Sequence, residues 1–242
     1  MSRSSRLLSV QFPVVLCALL IASYLPVCNV HANSLADASQ TSEAETKLEK
    51  LLQGFETLSA EVLQLIVESD GGVLEESDIL MRLKRPDSFY WETIAPFAEL
   101  IVTDGQTLWN YQPDLEQVVI EDWDTTDSEL AAQLLSGETD GLNSEHTIVQ
   151  LDSGQIVAET SQRFRLTPLA VDSVYDTITL NFEQGSIQSI HIASKNGQQT
   201  VWEFISVQSD PEIRDDLFRF TPPPGIEIID NRSHALSQST CF

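Results

Sequence analysis

Residues 79–120, ILMRLKRPDSFYWETIAPFAELIVTDGQTLWNYQPDLEQVVI, commit the chain to strands. Ile79, Met81 and Leu83 alternate with Leu80, Arg82 and Lys84, the two-residue period of a strand with one buried face. The same parity carries Arg85 onto the apolar face, where an unpaired charge costs on the order of several kcal/mol. Alternatively the parity slips at Pro86, which has no N–H to give a ladder, and Arg85 lies in solvent. Phe89 and Trp91 open a second run. LIV (100–102) and TLWNY (107–111) flank Asp104-Gly105, a hairpin signal of the kind whose two turn residues both take positive φ. Pro113-Asp114 precedes a further run, LEQVVI.

Strand-like runs resume at 147–151, 155–158, 163–166, 175–182, 186–192 and 199–207. Ser153-Gly154, Pro168, Gln184-Gly185 and Asn196-Gly197 separate them. With Val62–Val67 as the first strand, followed by Gly71-Gly72, the count is about eleven, and the tight turns make the sheet mainly antiparallel. Two or three short amphipathic helices are expected beside the strands, and helical spacing is clear at two places. Leu48, Leu51, Leu52 and Phe55 form one stripe ending near Gly54. Leu130, Ala131, Leu134 and Leu135 form another, between a cap at Asp127 or Ser128 and Gly137. The second is too short to persist alone and must lie on an apolar surface.

The N-terminus carries Arg3 and Arg6, an apolar run from Phe12 to Val30, and Val30-His31-Ala32, which together read as a secretory signal cleaved after Ala32. Pro13 and Pro26 interrupt the run, and a membrane span needs ~20 apolar residues. Leu25-Pro26-Val27-Cys28 is a poor lipoprotein box, because Val27 stands where a small residue is needed. Without the leader, 11 basic residues face 37 acidic ones, a net charge of −26. Such a surface repels nucleic acid and anionic head groups. Cys241 is then the one cysteine left, so an internal disulfide is not expected.

No chemistry announces itself. Gly-x-Ser-x-Gly, Walker-type and dinucleotide signatures are missing from the sequence. His146, His191 and His234 lie far apart, and neither His-x-x-x-His nor Cys-x-x-Cys occurs. Glu75-Glu76-x-Asp78 and Glu121-Asp122-x-Asp124 lack the spacing of a calcium loop and read as solvated acidic clusters. Neither catalytic nor metal-binding residues are assigned, and no cofactor is expected.

Arg85-Pro86, Phe89-x-Trp91, Pro96, Asp104-Gly105-x-x-x-Trp109-x-Tyr111 and Asp114-Leu115-Glu116-Gln117-Val118, in this order, resemble the periplasmic outer-membrane lipoprotein carrier protein family (LolA). Leu166-Thr167-Pro168, Gly197-Gln198, Phe218-x-Phe220 and Gly225 extend the likeness, which spans roughly 45–229. Two departures stand out: Val62 replaces the aromatic of a Phe-x-Gln, and the Thr-Pro before the second helix is absent. The resemblance implies an unclosed antiparallel β-barrel with a lid of short α-helices over an apolar cavity. With 1–32 read as the leader, the resemblance implies 33–230 as one carrier domain, and 231–242 is a polar tail with no evident counterpart in the family. The resemblance further implies a non-enzymatic, monomeric periplasmic chaperone that passes acylated lipoproteins from an inner-membrane ABC transporter to an outer-membrane receptor. In that family the arginine of Arg-Pro holds the empty lid shut, a role that falls to Arg85. Phe89, Trp91, Trp109, Tyr111, Leu130 and Leu134 are the candidates for lining cavity and lid. The alternatives within the fold are an outer-membrane lipoprotein receptor or an envelope-stress sensor.

Overall fold

The computed structural model describes residues 43–123, 139–151 and 160–233, with backbone alone at 139–141. The expected leader, the helix bearing Leu130 and Leu134, the run 155–158, His234 and Cys241 lie outside these residues. Among the described residues, no helix is long and apolar enough to cross a membrane.

Helix α1 (43–52) leads into a single twelve-stranded sheet. The strands are β1 (Thr57–Val67), β2 (Val73–Lys84), β3 (Ser88–Ala95), β4 (Glu99–Asp104), β5 (Thr107–Gln112), β6 (Gln117–Asp122), β7 (His146–Leu151), β8 (Ser161–Pro168), β9 (Tyr175–Glu183), β10 (Ser186–Ser194), β11 (Gln199–Ser209) and β12 (Glu227–Asp230). Helix α2 (Thr139–Glu145) precedes β7. The order across the sheet is β12-β6-β5-β4-β3-β2-β1-β11-β10-β9-β8-β7, so among the described residues β12 and β7 are the edges and the barrel is unclosed. The first strand begins five residues before Val62, since Leu58 and Ala60 already share its buried parity. One addition to the expected eleven strands is β12, which runs parallel to β6 and aligns Ile228 with Val118. Four residues are too short to show a period, and their partner lies over a hundred residues upstream.

Two turns show how local chemistry sets register. Between β9 and β10, Gln184 and Gly185 take φ of 52° and 82°, the pair of positive values a tight two-residue hairpin requires. At Asp104-Gly105 the expectation is only half met. Gly105 is left-handed at φ 87° while Asp104 is not, and the Asp104 carboxylate instead accepts N–H bonds from Gln106 and Thr107. A Cβ on Gly105 would sit 2.8 Å from the Asp87 Cβ.

One cluster fills much of the concave face. Leu58, Ala60 and Val62 of β1, Ile79, Met81 and Leu83 of β2, and Phe164, Leu166, Ile178, Leu180, Ile190 and Phe204 of the remaining strands meet Ala44, Leu48 and Leu52 of α1. Helix α1 packs there because its stripe recurs every three or four residues and the sheet's inward parity is apolar. A smaller set, Val102, Val118, Ile120 and Phe218, is buried on the convex face. There the segment after β11 crosses the sheet, and its 3-10 turn (Asp215–Phe218) rests on β3 and β4.

Candidate functional site

The trough changes character along its axis. On β1 the inward residues run Leu58, Ala60, Val62, then Gln64; on β2 they run Leu83, Met81, Ile79, then Ser77 and Glu75. On β3 they are Phe89, Trp91, then Thr93, each facing an inward residue of β2 or β4. At the polar end the face is hollow, with a cavity of about 500 Å³. Phe89, Trp91, Ile101 and Trp202 form its apolar wall, and Gln64, Glu75, Thr93, Glu99, Gln112 and Asp114 its polar side. Trp202 meets Trp91 edge-on at 5.4 Å between ring centroids, and Trp91 stacks towards Phe89 at 6.0 Å. The Trp202 indole donates to the Gln64 side-chain oxygen at 2.7 Å, and Gln112 donates to Glu99 at 3.0 Å. Phe97 and Leu115, at the neighbouring turns, stand exposed beside the mouth.

Arg85 sits at the opposite, closed end. It stands one residue past the end of β2, in the turn, and its guanidinium is directed at the C-terminus of α1. Its Nε donates to the Phe55 carbonyl at 2.7 Å and its Nη2 donates to the Leu52 carbonyl. The Arg85 backbone N–H donates to Glu56 at 2.9 Å, and the guanidinium lies 4.8 Å from the Phe55 ring centroid. A cation against the last carbonyls of a helix satisfies orphan acceptors and meets the negative end of the helix dipole. Burial lowers the Arg85 pKa from its ordinary value while the Glu56 carboxylate raises it. The group remains charged. The Arg85 charge is accommodated by carbonyls at the end of α1 and just beyond it.

The outer membrane lipoprotein carrier protein LolA family matches residues 53–221. The chain belongs to the LolA family. The outer-membrane lipoprotein carrier protein of Hahella chejuensis is 35% identical over 205 residues, covering 85% of this chain and 97% of that one. Its namesake in Pseudomonas aeruginosa is 34% identical over 196 residues, covering 81% and 91%. Among solved structures, a LolA superfamily protein from Nitrosomonas europaea aligns with a TM-score of 0.41 at 12% identity, covering 75% of this chain and 97% of that one.

Within this LolA chain the residues singled out from sequence fall into three groups. Arg85, Phe89 and Trp91 share the concave face, the first at its closed end and the other two on the cavity wall. Trp109 and Tyr111 are on the other side of the sheet. Trp109 pairs across to Val102 and Ile120, Tyr111 to Leu100 and Val118, and the Tyr111 ring lies 5.1 Å from that of Phe220. The residues of β5 that face inward are instead Leu108, Asn110 and Gln112, because Ile101 of the cavity wall pairs with Asn110. Leu130 and Leu134 lie outside the described residues. Sequence reasoning passed over Gln64, Thr93, Gln112 and Trp202. For Gln64, Thr93 and Gln112 the signal is a polar residue continuing an inward parity, on β1, β3 and β5; Trp202 of β11 carries no such signal.

Proposed function

We propose that the protein is a periplasmic carrier that shields the acyl chains of lipoproteins between an inner-membrane ABC transporter and an outer-membrane receptor. The observation carrying this reading is the apolar-walled cavity at the end of an otherwise filled trough, in a chain of this family. Exposing a buried CH₂ to water costs ~0.8 kcal/mol, so a sixteen-carbon chain left in water costs roughly 12 kcal/mol. Shielding, rather than bond-making, is what such a cargo needs, and the reading assigns no catalytic step. Residues 1–32 serve as the export signal, and 33–230 form the working domain.

A volume of about 500 Å³ suits one ligand of ordinary size rather than a triply acylated head. Loading therefore widens the trough, and the bonds from Arg85 to the end of α1 resist that widening. Their loss in the loaded state leaves a guanidinium near hydrocarbon, which weakens holding enough for a tighter receptor to take the cargo. Phe89 and Trp91 are the acyl-contacting residues of this reading, with Leu130 and Leu134 as lid residues; Trp109 and Tyr111 serve the convex core.

The test incubates purified mature protein with membranes bearing newly made lipoproteins and their ATP-driven exporter. A soluble one-to-one complex that forms only with ATP supports the carrier. Binding to another periplasmic protein with no lipoprotein complex sinks it.

A further inference from the structure

We infer that Gln64, fixed by Trp202, is the polar anchor of the cavity and donates a hydrogen bond to the carbonyl that joins an acyl chain to its head group. The inference rests on the carrier reading and specifies how the ligand lies. An indole N–H can only donate, so the Gln64 oxygen must be the atom facing Trp202, 2.7 Å away. The amide NH₂ is thereby turned from the indole. Gln64 lines the cavity, and no described acceptor is bonded to that NH₂. The site is a donor held in one orientation at the border between two surfaces. On one side are Trp202, Trp91, Phe89 and Ile101; on the other are Ser77, Thr93 and the carboxylates of Glu75 and Glu99.

The carboxylates, which accept but do not donate, repel a carbonyl oxygen. Ser77, the cross-strand neighbour of Gln64, already spends its hydroxyl on Glu75 at 2.8 Å. Gln64 is thus a donor of fixed orientation placed for a carbonyl at the apolar–polar border, whereas the hydroxyl of Thr93, on the same polar side, rotates freely. A chain anchored there runs its hydrocarbon along the aromatic wall towards Arg85 and leaves its head at the acidic mouth. Both ester- and amide-linked acyl groups present this chemistry.

The experiment displaces N-phenyl-1-naphthylamine from the mature protein with three twelve-carbon probes: N-dodecanoylglycinamide, methyl dodecanoate and dodecyl methyl sulfide. The sulfide matches them in chain but is a weak acceptor. A buried hydrogen bond predicts that the wild type prefers carbonyl probes by about three- to tenfold, and that Gln64→Leu abolishes the preference while sulfide binding is kept. Gln64→Glu retains an acceptor for Trp202 but loses the donor, so it abolishes the preference too, even if the Leu variant folds poorly. Loss confined to the amide probe assigns the anchor to amide-linked chains, and loss confined to the ester probe to ester-linked ones. Equal weakening of all three probes, or no carbonyl preference in the wild type, overturns the inference and leaves the carrier intact. Wild-type protein that binds none of the three overturns the carrier reading and the anchor together.

Discussion

The two ends of one trough differ in what their strands place on the same parity. At the closed end, Leu58, Met81, Leu48 and Leu52 are each at most 1% exposed and interdigitate beneath α1. At the open end, β1, β2 and β3 place Gln64, Ser77, Glu75 and Thr93, and a cavity remains. Packing at the closed end holds the fold together; the hollow at the open end is where a ligand can be held. The first obtains stability from close contact, and the second gives some up because polar side chains and unfilled space do not close on each other.

Truncations should separate the ends. Leu52→Ala removes a buried knob from α1 and opens a void in filled space, so a loss of about 2–5 kcal/mol is expected in urea denaturation. Ile101→Ala borders space that is already hollow. It forfeits the transfer contribution of the lost atoms but creates little new cavity, so its cost should fall at or below the low end of that range, about 2 kcal/mol. Equal costs at both positions would show that the open end is packed as tightly as the closed one.

Arg85→Leu sharpens the contrast differently, since it acts on the seam between α1 and the sheet. Charge-assisted bonds to the Leu52 and Phe55 carbonyls are lost together, which should lower stability by about 1.5–3 kcal/mol. Under the carrier reading, the same variant holds cargo longer, because the loaded state no longer strands a charge. Slower transfer to receptor, measured by release from the soluble complex, is the expected result; unchanged release would remove Arg85 from the cycle while leaving its structural role.

The closed end was readable because its causes are local and periodic. Parity from Ile79 through Leu83, the stripe from Leu48 to Phe55 and the positive-φ turn at Gln184-Gly185 all follow from neighbours in sequence. The convex face was not. Trp109 and Tyr111 were grouped with Trp91 because aromatic side chains signal burial without saying on which side. Only the pairing of Ile101 with Asn110 decides the matter. Phe218 and Phe220, which cover that face, lie in a segment with no period to read, and β12 is defined by a remote partner. The polar end of the cavity was missed for another reason: polar residues in a strand are ordinarily assigned to solvent, and here they continue an inward column.

The smallest expected effect concerns protons at the open end. His146 begins β7 beside α2, and burial lowers its pKa from the ordinary 6.5, against the Leu142 backbone hydrogen bond and the Glu145 carboxylate, which raise it. Among the described residues, its Nδ1 is buried with no hydrogen-bond partner of ordinary geometry. As pH falls through 6.5 the unfolded chain therefore takes up the proton before the folded one does. Stability is full above that value and declines as pH drops towards the lower folded pKa. His191 on β10, also lowered chiefly by burial, contributes with the same sign. His146→Gln should accordingly flatten, without abolishing, the difference in urea midpoint between pH 7.5 and 5.5. A variant whose midpoint falls as steeply as that of the wild type would place the acid sensitivity elsewhere, and at the closed end no described histidine is available to supply it.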